Sequence, residues 1–235
     1  MFEPSEFFQF LKKPQYQFIE AKETSVIPTA IKIYLLLLLF LGLINSMNII
    51  ILNVFFVLPV DETLVVSERW KEHLWFFFLL VAIIAPFLEE VIFRLSLVFK
   101  PLNISLSVST LVSLIINRLS YHLISIVSFF LVFILIYKLA TTYKHRMISF
   151  WSKNFKFIFY SLSLLFGLVH MSNYKCTGIT QYLLTLILVF PQLGMGFVLS
   201  FTRVYYKKGF IIGIIIHCIM NTFGAGIILH GYLNK

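Results

Sequence analysis

Two adjacent carboxylates and an arginine, Glu89, Glu90 and Arg94, lie inside a stretch, Leu74 to Phe99, that is otherwise apolar enough to cross a bilayer. A charge at mid-bilayer costs about 3 kcal/mol on insertion scales, so such groups turn inward, pair, and are usually functional. On a helix, Glu90 and Arg94 share a face and are natural partners. Glu89 is turned by about 100° from Glu90 and is left to point elsewhere. A buried ion pair that only locks packing accounts for Glu90 and Arg94. It gives Glu89 no purpose.

The rest of the chain agrees with a membrane setting. Only 12% of its residues are charged against 60% hydrophobic, about half the charge of an ordinary soluble domain. The net charge of +9 is spread between apolar runs, which fits topogenic charge and anionic lipid headgroups and not nucleic acid. Cys176 and Cys218 show no ligand spacing, so neither a disulfide framework nor a zinc knuckle is expected. No short basic region with an apolar core marks a cleaved signal peptide, and Glu3, Glu6, Glu20 and Glu23 argue against a transit peptide.

These features predict an all-α polytopic bundle of about seven spans, residues 28–235, behind a polar N-terminal segment, residues 1–27. In that segment Phe7, Phe8, Phe10, Leu11, Lys12 and Lys13 suggest a short interfacial helix, and a flexible tail is the alternative. The spans are expected at about Pro28–Leu58, Leu74–Phe99, Asn103–Ile116, Leu119–Tyr137, Phe157–Met171, Ile179–Val204 and Gly209–Leu233. The third is short and serine-rich and is open to a re-entrant reading. Trp70 and Trp75 mark a water interface before the second span, and Pro86 is expected to kink it. With seven spans and the N-terminus inside, twelve cations fall on the cytoplasmic side: Lys12, Lys13, Lys22, Lys100, Lys138, Lys144, Arg146, Lys153, Lys156, Arg203, Lys207 and Lys208. Arg69, Lys71, Arg118, Lys175 and Lys235 fall outside. The positive-inside rule therefore puts the N-terminus in the cytoplasm of a multi-pass protein of the cell membrane.

Three polar clusters punctuate the apolar spans: Glu89-Glu90-x-x-x-Arg94, Phe166-x-x-x-His170 and His217-x-x-x-Asn221. In the last two, the spacing stacks both side chains on one helix face. One intramembrane histidine is as readily a packing residue as a chemical one. Three clusters on three spans are different, because polar groups in hydrocarbon must find each other or water. Glu89 beside a histidine, shielded from bulk solvent, is placed to be a general base towards water. His217 and Asn221 can offer N–H donors to a developing oxyanion. His170, His217 and Glu89 could in principle bind zinc, but there is no H-E-x-x-H helix and asparagine is a poor zinc ligand. No cofactor is expected.

The three motifs, in this order and on separate spans, resemble the CPBP family, the CAAX-protease and bacteriocin-processing (Abi) intramembrane endopeptidases. The likeness covers about residues 85–225, including Gly194-x-Gly196 and Lys208-Gly209 ahead of His217. It implies a glutamate-dependent protease in which Glu89 with His170 activates water, Glu90 pairs with Arg94, and His217 with Asn221 holds the oxyanion. The substrate would be a peptide or protein, lipid-modified or not, met among membrane lipids. One departure stands out. The first and second motifs are 81 positions apart, which two inserted spans would explain. The alternatives are a non-catalytic membrane scaffold or immunity-type binder, and a proton-relay transporter, for which the chain shows no inverted repeat. Elsewhere, Gly209-x-x-x-Gly213 reads as close helix packing and Cys218 as packing. His73, His122, His145 and His230 read as interfacial, and Asn103-Ile104-Ser105 as an acceptor-like triplet.

Overall fold

Backbone amides in hydrocarbon need partners within their own segment. The computed structural model is accordingly helical, and it describes residues 3–16, 21–51, 73–119, 121–174 and 178–233. In chain order the helices are α1 (Pro4–Lys12), α2 (Val26–Ile51), α3 (Leu74–Leu79), a π turn (Leu80–Ile84), α4 (Ala85–Phe93), α5 (Pro101–Arg118), α6 (His122–Thr142), α7 (Lys144–Lys153), α8 (Phe155–Val169), α9 (Ile179–Leu188), α10 (Phe190–Tyr205) and α11 (Gly209–Leu233). The described residues contain no strand, and Lys22 and Tyr206 form an isolated bridge.

Among the described residues, five helical stretches are long and apolar enough to cross a membrane: Val26–Asn48, Leu74–Leu97, His122–Thr142, Phe155–Asn173 and Gly209–Gly226. A sixth is made if α9 and α10, bent by 44°, count as one span. That bend falls just before Pro191, whose ring restricts the preceding residue and which brings no N–H. The expected third span, Asn103–Ile116, lies in α5, which is not among these stretches. Asn103, Ser105, Ser107, Ser109 and Thr110 dilute its hydropathy, and all five are buried. The end of the expected first span beyond residue 51, and Arg69, Trp70, Lys71, Lys175, Cys176 and Lys235, lie outside the described residues. Trp75 is exposed.

α2 shows how the apolar helices divide their faces. Ala30, Ile33, Leu37 and Leu41 form one buried stripe, while Ile31, Leu35, Leu38 and Leu39 are exposed where lipid tails would lie. α1 is helical, and two of its aromatics turn into the bundle. Phe7 and Phe10 meet the Phe201 ring edge-on at 5.4 and 5.2 Å, and the Tyr160 hydroxyl donates to the Leu11 carbonyl. Phe8 alone of these rings stays exposed.

The segment after α1 is tied to the turn between α10 and α11. The Lys22 N–H donates to Tyr205 O at 2.8 Å, and the Lys207 N–H donates to Lys22 O at 3.2 Å. Lys207 Nζ sits 2.7 Å from Glu23 Oε1, and that hydrogen bond holds the Glu23 carboxyl below its ordinary range. Nearby, the Phe99 N–H donates to the Tyr16 hydroxyl, and Trp151 Nε1 donates to Ser96 O. These contacts bring together the segments that carry Lys22, Lys100, Lys153, Lys207 and Lys208.

α8 and α10 cross closely because glycine lines the contact. A Cβ at Gly196 would lie 2.6 Å from Ser163 O and 3.1 Å from the Phe166 ring, and Ser163 also donates to Ser200 Oγ at 2.9 Å. Small residues allow such an approach between membrane helices. Gly196→Ala is expected to cost about 1–3 kcal/mol through overpacking. Thermal unfolding in detergent would read it as a lower midpoint.

Candidate active site

The site is built on the helix that carries the carboxylate pair. Pro86 is the second residue of α4. The expected proline kink takes the form of a π turn, a device that in other helices often marks functional sites. Three contacts hold this helix in place. Ser107 Oγ donates to Val91 O at 2.6 Å, Arg203 Nε donates to Arg94 O at 3.2 Å, and Asn221 Nδ2 donates to Val81 O at 3.1 Å. The rotation between neighbours then does what the helix period requires. Glu90 and Arg94 are fully buried, whereas the Glu89 side chain keeps 27% of its exposure.

Glu89, His170 and His217 come together. Glu89 Oε2 lies 3.8 Å from His170 Nε2 and 3.5 Å from His217 Nε2. Each imidazole has its other nitrogen engaged, which fixes the ring. His170 Nδ1 donates to Phe166 O at 2.8 Å, and His217 Nδ1 donates to Glu90 Oε1 at 3.0 Å. Both Nε2 atoms therefore face one carboxylate oxygen. That oxygen and His217 Nε2 are buried and have no hydrogen-bond partner among the described residues, so the centre holds hydrogen-bonding capacity that the protein does not use on itself.

Glu90 is more than the partner expected for Arg94. Arg94 Nε is 3.6 Å from Glu90 Oε1, but that same oxygen receives the shorter bond from His217. Its second oxygen rests against the bare backbone of Gly213, where a Cβ would stand 3.0 Å away. The Arg94 guanidinium finds its other support on an aromatic face, 3.7 Å above the Phe166 ring. Phe166 also meets His170 and His217 edge-on, at 4.9 and 5.5 Å between ring centres. One phenylalanine thus packs against the arginine and both histidines.

Among the described residues Asn221 makes no hydrogen bond to Glu89, Glu90, His170 or His217. One of its amide hydrogens goes to Val81 O, leaving the second unassigned. Gly209 and Gly213 serve two different contacts: a side chain at Gly209 would run into the Thr202 carbonyl, and Gly213 makes room for Glu90. The sequence pattern placed Gly213 and His217 on one helix face, a signal that could have tied the glycine to the site. Ser107 and Arg203 were missed, since serines on α5 read as packing and Arg203 as a topogenic charge. Cys218 is half-buried. Asn103 is buried with Nδ2 on Val98 O, which removes it as an exposed acceptor. His122 pairs with Asn117 at 2.6 Å at an exposed helix end. Among the described residues no group of three His, Cys, Asp or Glu is arranged to hold a metal ion, the Glu89–His170–His217 set included.

Residues 71–223 match the family model described as Rce1-like, type II CAAX prenyl endopeptidase Rce1-like. The match spans all three polar clusters and begins just before α3. No curated protein and no solved structure matches.

Proposed function

The chain belongs to the Rce1-like family of type II CAAX prenyl endopeptidases, and from that premise we propose that it hydrolyses a peptide bond within the bilayer using water activated by Glu89 and His170. The observation that carries the reading is the convergence of one Glu89 oxygen with two imidazole Nε2 atoms at 3.8 and 3.5 Å. A water lodged between Glu89 Oε2 and His170 Nε2 would give its proton to the carboxylate as its oxygen attacks the scissile carbonyl. The His170 bond to Phe166 O keeps hydrogen on Nδ1 and turns the Nε2 lone pair towards that water. The oxyanion that forms needs donors placed in advance. With hydrogen on both ring nitrogens, His217 keeps Nδ1–H on Glu90 and offers Nε2–H to it, and the second amide hydrogen of Asn221 is the other candidate. As the C–N bond breaks, Glu89 returns its proton to the leaving amine.

The substrate in this reading is a peptide or protein, lipid-modified or not, that arrives from the membrane. The lysine-bearing segments joined by the Lys22, Tyr16 and Trp151 contacts support a cytoplasmic N-terminus in the cell membrane. The test uses purified protein in liposomes and a fluorogenic peptide ending in a CAAX-type sequence. His170→Ala is expected to lower cleavage by about 10²–10⁴-fold, with chelator leaving the wild type unaffected. Full activity in the variant would defeat the proposal. Loss of activity on chelation that zinc restores would move Glu89, His170 and His217 to the metal-ligand role.

A further inference from the structure

The proline that opens α4 leaves a gap in the backbone ladder at a definable atom. In a π turn each N–H reaches the carbonyl five residues back, and the Ala85 N–H does donate to Leu80 O. The next donor in that register belongs to residue 86, which is proline and has none. The acceptor left over is Val81 O. Asn221 Nδ2 donates to that oxygen at 3.1 Å, from a helix 140 residues away in sequence.

We propose that Asn221 is a positioning residue: its amide stands in for the missing Pro86 N–H and so fixes the π turn that sets the aim of Glu89 and Glu90. An unpaired carbonyl inside a membrane protein is costly, and a turn with one missing bond has an easy escape. Relaxing from π to α register removes one residue's worth of winding and turns everything downstream by about 100° relative to α3. That is the angle that separates Glu89 from Glu90. With Val81 O held from α11, the π register persists. The same helix carries His217 one turn earlier, so one rigid element sets both the imidazole and the register of the carboxylates it meets.

The staple stands without the protease reading; only its effect on catalysis rests on that reading. The experiment is a double-mutant cycle of Asn221→Ala and Pro86→Ala in the full-length protein. Alanine at 86 restores an N–H, which satisfies the Val81 carbonyl in the π register, while in the α register the Ala85 N–H does so. Val81-Ala82 is the only Val-Ala step in the chain, so carbonyl-labelled valine with nitrogen-labelled alanine gives one NMR signal that reports this carbonyl. Asn221→Ala alone is expected to move that signal and to lower Tm by about 3–6 °C. In the Pro86→Ala background the same substitution should cost less than about a third of that. Equal costs in both backgrounds, or an unmoved carbonyl signal, would overturn the staple. If Asn221→Ala alone does not accumulate folded, recovery of the folded double variant shows the coupling, and failure of both overturns it. For catalysis, the pH midpoint of cleavage should move by about half a unit or more in Asn221→Ala. A midpoint that stays put while the carbonyl signal moves would refute the aiming role and leave the staple.

Discussion

Glu89→Gln is expected to abolish measurable proteolysis, with kcat/KM falling by about 10³-fold or more while the fold survives. General-base catalysis accounts for about 10²–10⁴-fold in rate, and a glutamine of the same shape cannot take a proton from water. A loss of about 10³-fold corresponds to about 4 kcal/mol of transition-state stabilisation. Stability should hardly change. Glu89 is the most exposed member of the cluster, and its Oε2 makes no hydrogen bond that the fold depends on. Peptide cleavage in liposomes and thermal unfolding of the same preparation separate the two effects. A Glu89→Gln variant that cleaves at the wild-type rate would leave the cluster a scaffold feature.

Glu90 should behave in the opposite way, with stability falling first. Glu90→Leu removes the one carboxylate beside a fully buried Arg94, and stranding a buried charge costs about 3–5 kcal/mol. Arg94 has no hydrogen-bond acceptor for its guanidinium among the described residues, so the Phe166 ring face is the direct contact left to it. Replacing both partners, Glu90→Leu with Arg94→Met, removes the charges together and is expected to recover most of that loss. Cleavage should not recover, and is expected to stay at least about 10²-fold down, because His217 Nδ1 has lost the carboxylate that orients its ring. Denaturant unfolding reads the first effect and peptide hydrolysis the second. If the double replacement restored both, Glu90 would be a packing residue alone.

Much of this was readable in the chain because hydrocarbon is a strict solvent. Apolar runs mark where helices lie, and residues four apart must share a face, so Glu90 with Arg94 and Phe166 with His170 followed from spacing alone. Pairing between helices is not written in such spacing. That His217 prefers Glu90 and reaches Glu89 with its other nitrogen depends on how α11 crosses α4, which Gly213 allows by carrying no side chain. Pro86 announced a disturbed helix but not its form. The missing N–H is local, whereas the donor that replaces it sits on α11. The serines of α5 had two readings, a re-entrant segment or a polar seam. Ser107 on Val91 O shows that at least part of the seam serves to anchor the helix that carries Glu89 and Glu90. The docking of α1 was hidden for a further reason, since Phe7 and Phe10 suit a headgroup layer and a protein groove equally well.

The unequal openness of the cluster fixes a direction. His170 and Glu89 keep 16% and 27% of their side-chain exposure, while His217 and Glu90 keep 0% and 1%. In the proposed reaction a peptide would therefore meet the cluster on its Glu89–His170 side, since Glu90 and His217 lie behind it against Arg94, Phe166 and Gly213. The two fragments would leave on that same side.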